Sequence, residues 1–181
     1  MTSRSRKEAG SGKDRKMSRR DLFRGMFQQF RGDSLKEESS GVDPDMVYAD
    51  RLLKEGQYDK AAHLYSRRLK KEPRQLEAMR NMGYCLFMQG DYSGARKAWE
   101  KLLGFRPRDN FALLYTGLAC ASQGDARGAL ENWRLYYDIR KPLVQREINL
   151  ILARQERGES LEAREMAASV QEALEKQKKA R

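Results

Sequence analysis

Glycine recurs along this chain at one fixed interval: Gly56, Gly90, Gly124 and Gly158 stand 34 residues apart. Ala61, Ala95, Ala129 and Ala163 keep the same step. With only 14 glycines among 181 residues, two four-fold coincidences in a common register mean a repeated structural unit rather than chance. Pro73 and Pro107, Gly83 and Gly117, Tyr58 and Tyr92, and Trp99 and Trp133 fall into the same register. A chain of this length holds one core-bearing domain or a short solenoid with tails. A period in the thirties selects the solenoid, whose units bury their apolar faces only by stacking on one another.

Each slot has a physical reason. Between two antiparallel helices the chain needs a residue that tolerates positive φ, and Gly90 and Gly124 supply it. Small residues in the first helix (Gly83, Gly117) and the second (Ala95, Ala129) let backbones approach. Tyr65, Trp99 and Trp133 then fill the space between neighbouring units. The spacing predicts an all-α fold.

These slots resemble the tetratricopeptide repeat, whose signature reads W-x2-L-G-x2-Y, then A-x3-F, then P. Residues 76–109 match best, with Met79, Met82, Gly83, Leu86, Gly90, Asp91, Tyr92, Ala95, Trp99 and Pro107. Residues 110–143 follow with Leu113, Thr116, Gly117, Cys120, Gly124, Asp125, Ala129 and Trp133, and Pro142 one place late. Residues 42–75 keep Gly56, Tyr58, Ala61, Tyr65 and Pro73 but have Pro44 near the start and no large aromatic in the first helix. Residues 144–177 keep Gly158, Ala163 and apolar spacing at Ile148, Ile151, Leu152, Met166, Val170 and Leu174, and read as a terminal capping pair. The resemblance implies a right-handed α-solenoid of antiparallel helix pairs, about three repeats plus a C-terminal capping helix pair, over residues 45–178.

The resemblance also implies a concave groove lined from the second, fifth, ninth, twelfth and thirteenth places of each unit. Those places include Met46, Leu53, Arg80, Tyr84, Phe87, Met88, Phe111, Leu114, Leu118, Ile148 and Leu152. Family members that hold acidic carboxyl ends use Lys, Arg and Asn there. Here the places are mostly apolar, with Asn81 a lone coincidence, so a carboxylate clamp is rejected in favour of an apolar, helical or extended partner segment. Helical spacing alone does not separate groove from core, and Phe87, Phe111, Leu114 and Leu118 also fit a covered interior, the lesser reading beside the groove. An open stripe that large calls for a cover.

The net charge of +11 is densest in residues 1–31, where ten Lys/Arg face Glu8, Asp14 and Asp21. Residues 1–20 read as a disordered basic arm, 21–31 as an amphipathic helix and 32–44 as a linker. At about 100° per residue, Leu22, Phe23, Met26, Phe27 and Phe30 share one helical face, below Arg19 and Arg20. Three functional readings stay open for this segment: a docking peptide for a partner, a lid on the chain's own groove, or an anchor on an anionic membrane. A fourth is an extra helix packed on the first repeat. Ser18-Arg19-Arg20-Asp21-Leu22-Phe23-Arg24 also resembles the twin-arginine export motif, but Gln28, Gln29, Arg31 and Asp33 interrupt the apolar stretch that export needs. Mimicry of such a leader, as in a protein that helps mature exported redox enzymes, is a minor reading.

Other chemistry is sparse. His63 is the only histidine, and no Walker loop, HExxH or GxSxG is present. Cys85 and Cys120 form no CxxC pair and read as reduced thiols, so neither metal nor cofactor is expected. No run is long and apolar enough to span a bilayer. The expectation is a non-enzymatic, cytoplasmic bacterial adaptor, scaffold or assembly chaperone with an apolar groove, self-association left open and nucleic acid disfavoured by the interleaving of charges beyond the arm. The alternative is a peripheral scaffold held on anionic lipid by the basic arm, and deletion of residues 1–31 separates the two.

Overall fold

The computed structural model describes residues 43–180. The basic arm, the 21–31 segment with Arg19, Arg20, Leu22, Phe23, Met26, Phe27 and Phe30, and nearly all of the 32–44 linker lie outside the described residues. Eight helices follow one another among the described residues: α1 Pro44–Lys54, α2 Tyr58–Lys71, α3 Leu76–Met88, α4 Tyr92–Phe105, α5 Asn110–Ser122, α6 Ala126–Leu135, α7 Pro142–Glu156 and α8 Ala163–Lys179. They pair as α1/α2, α3/α4, α5/α6 and α7/α8, the units read from the period.

The turn within each pair is the same object four times. Gly56, Gly90, Gly124 and Gly158 adopt φ between +75° and +86°, where a Cβ would be strained. The next residue's N–H then reaches back to the carbonyl five residues earlier, as in Asp91 to Leu86 and Asp125 to Cys120, both at 2.9 Å. This closes a Schellman motif and satisfies carbonyls left over at the helix end. Asp91 and Asp125 at once cap the second helix, accepting from Gly94 N–H at 2.9 Å and Gly128 N–H at 2.8 Å. The first helices have their own caps at the same step: Gln75 accepts from Ala78 N–H and Asp109 from Ala112 N–H.

The indoles pack within each pair rather than only between units, and Trp99 also meets the next pair, at Phe111 and Tyr115. Trp99 and Trp133 are fully buried, and each donates its ring N–H to a carbonyl of the preceding helix, Arg80 at 3.1 Å and Leu114 at 3.2 Å. Their ring edges rest on Gly83 and Gly117. In the first pair Tyr65 takes the same slot but bonds to Asp50 at 2.5 Å, with Asn81 reaching both Asp50 and Tyr65. Asn81, the one clamp-like residue, is therefore spent inside the fold.

The regular stack ends at α6. α2 and α4 run 14 residues, whereas α6 stops after 10, at Leu135. The following Tyr136-Tyr137-Asp138-Ile139 are poor helix formers; Tyr136 is extended, and Asn110 bonds the Tyr137 carbonyl and N–H before the chain turns at Ile139. Asp138 N–H is taken by Gln145 at 2.9 Å. The chain thus re-enters α7 displaced, so that α7 scarcely touches α6, while α8 folds back and packs broadly on α5. The capping pair closes the solenoid by this return.

Burial also shapes the titration of the core. It pushes the Cys85 thiol up to about 12 and Cys120 to about 11, and raises the phenols of Tyr65, Tyr115 and Tyr136 well above their ordinary range. A folded state that holds these protons more tightly than the unfolded chain is stabilised fully below the unfolded thiol value of about 8.5. That stability is lost as pH rises towards the folded values. Denaturant midpoints measured across alkaline pH should fall steadily above this point, with tyrosinate absorbance appearing together with loss of helicity. Titration of all the tyrosines while helicity stays intact would contradict the burial.

Candidate protein-interaction face

The first helices of successive pairs touch one another, α1 with α3 and α3 with α5, whereas α2, α4 and α6 do not. The first helices therefore line the inner side of the stack. Along this side runs a continuous aromatic chain: Tyr84 meets Phe111 at 5.9 Å and Tyr115 at 5.3 Å, and Phe111 meets Tyr115 at 4.5 Å between centroids. Tyr58 reaches Tyr84 edge-on at 6.4 Å. Tyr84, Phe111 and Tyr115 are only part-buried.

The expected groove residues divide. Leu114, Leu118 and Ile148 have no exposed surface at all, and Met46 (7%) and Phe87 (9%) have almost none. These five are core rather than open lining, and a charge placed at Leu114 would break the interior instead of probing a surface. Leu53, Arg80, Tyr84, Phe111 and Leu152 keep partial exposure, and Met88 is open at 44%. Arg80 is tied to Asp109 by an ion pair and lies over the Phe111 ring at 5.9 Å.

The seal over α5 comes from α8. Met166, Val170 and Leu174 of α8 are buried in one cluster with Leu114, Leu118 and Ile148. Further along α8, Glu175 and Lys178 lie within electrostatic reach of Tyr84, Lys178 also of Tyr58 and Glu175 also of Tyr115. Burial raises the Tyr84 phenol. The α5 part of the inner face thus already carries a helix, supplied by its own chain, while α1 and α3 do not touch it. Periodicity placed Met166, Val170 and Leu174 on one side of a helix, but it carries no information on which surface that side meets. Tyr58 and Tyr115 were missed for a related reason: they stand outside the family's lining places and join the face only through packing.

Among the described residues no group of three or more His, Cys, Asp or Glu is placed to hold a metal ion, and no helix is long and apolar enough to cross a membrane. His63 is exposed on α2.

Stacked helical hairpins with a partly apolar inner face define a protein-interaction scaffold. The sequence profile of the tetratricopeptide repeat matches residues 49–110 and 89–140, and the chain belongs to that family. Among solved structures it is similar to the crystal structure of MamA, at 19% identity over 90% of this chain and 98% of that one, with a TM-score of 0.57. At that identity the likeness concerns the fold alone. No curated protein matches the chain.

Proposed function

We propose that the inner face of α1, α3 and α5 is a seat for an amphipathic helix of a partner protein, and that α8 occupies the α5 end of this seat until the partner displaces it. The observation that supports this is the asymmetry at the end of the stack. α7 hardly engages α6, where the next first helix of a regular stack would pack, while α8 packs on α5 and buries Met166, Val170 and Leu174 in one cluster with Leu114 and Leu118. A face that holds a helix through i, i+4, i+8 apolar contacts has the chemistry for a second helix of the same kind. The chain acts in this reading as an adaptor or assembly chaperone without catalysis of its own.

The test is competition for the seat. In the full chain, Val170→Asp with Leu174→Asp places two charges in the buried side of α8 and should detach it. A labelled peptide of residues 161–181 should bind this variant and be excluded by the wild type, with Trp99 and Trp133 fluorescence reporting that the second and third pairs remain folded. A variant that stays folded and takes up no peptide would sink the proposal.

A further inference from the structure

A cleft of about 970 Å³ lies at the ends of the helix pairs. It opens between the connection after α4, residues 106–109, and the one after α6, residues 138–141, with Arg80 and Phe111 also in its wall. Five cationic side chains line it, Arg80, Arg106, Arg108, Arg140 and Lys141, against the two carboxylates of Asp109 and Asp138. Both carboxylates are committed within the fold. Asp109 caps α5 and pairs with Arg80, and buried Asp138 accepts from the Arg140 backbone N–H at 3.0 Å and its guanidinium at 3.3 Å. Arg106 and Arg108 are exposed and make no ion pair among the described residues. With Asp109 and Asp138 paired to Arg80 and Arg140, Arg106 and Arg108 leave the concave wall a cationic excess, which concentrates anions.

The same connection shows an apolar side. Tyr137 is 68% and Ile139 74% exposed, and with Pro142 and Leu150 they line a second recess that shares this loop. Large side chains this exposed, next to a cationic cleft, mark a contact surface. A small anion has no use for the apolar shelf. A bilayer surface is flat, whereas a cleft between two loops admits a chain.

We propose that this cleft binds an acidic, extended segment of a protein partner, with carboxylates at Arg106 and Arg108 and an apolar side chain on Tyr137 and Ile139. This second site borders the inner face at Arg80 and Phe111 but does not include α8.

The experiment uses the full chain and a fluorescein-labelled peptide, acetyl-Glu-Asp-Glu-Glu-Leu-Phe, in anisotropy titrations at low and moderate salt. Arg106→Glu with Arg108→Glu should weaken binding by roughly tenfold or more, and added salt should weaken it in the wild type. A charge-matched control, Lys97→Glu with Lys101→Glu on exposed positions of α4, should change it by less than about twofold. Equal weakening by the control, equal binding of a peptide with every acid replaced by its amide, or displacement of the peptide by an equimolar amount of pyrophosphate would each overturn the proposal. Sedimentation with anionic vesicles by a chain that does not bind the peptide would overturn it as well.

Discussion

Trp133→Ala should lower stability by about 3–5 kcal/mol, a loss comparable with the whole stability of many small domains. The indole is fully buried, donates to the Leu114 carbonyl and fills the space between α5 and α6. Its removal loses transfer free energy and leaves a cavity that helices pinned by caps at both ends cannot close. Because α7 scarcely touches α6, no neighbouring pair is placed to move in and compensate. Guanidinium denaturation should show the midpoint falling with little change of slope. A shift worth under about 1 kcal/mol would mean that the indole does not hold α5 and α6 together.

Gly117→Ala tests the other half of the same contact, and two effects of opposite sign compete there. Alanine in place of glycine favours a helix by about 1 kcal/mol. Against that, the new Cβ would lie 2.6 Å from Trp133 Cδ1, far inside van der Waals contact, beside a ring that is enclosed on all sides. Overpacking of this kind costs about 1–3 kcal/mol, and with no room for the ring to shift the upper part of that range applies. The net expectation is destabilisation by about 2 kcal/mol. Gly104→Ala supplies the opposite case, since nothing lies within 4 Å of a Cβ at that exposed helical position. It should stabilise by about 0.5–1 kcal/mol. Thermal melts of the two variants should move apart around the parent, and movement in the same direction would refute the close-contact account.

The candidate sites were less legible than the repeat. Arg74 and Arg108, and Arg106 and Arg140, also stand 34 residues apart, a signal of stacked cationic connections that was present but not read. Two loops separated by a helical hairpin become walls of one cleft only when the pairs stack. The groove reading had Leu114 and Leu118 on the correct face of the correct helix, yet they are core, because the face is covered by a segment more than 40 residues further on.

The amino-acid order alone settled what is local: helix boundaries by glycine at positive φ and aspartate caps, pairing by short turns, and the stacking step by small residues opposite indoles. Each of these is decided within a hairpin or between neighbours, so a 34-residue register carries it. Folding in three dimensions decided the rest, namely that α6 gives up its last turn, that α8 returns onto α5, and which apolar side chains meet water. Helical periodicity assigns a side chain to a face, but burial depends on what distant segment arrives there, and that is settled by packing across the whole chain.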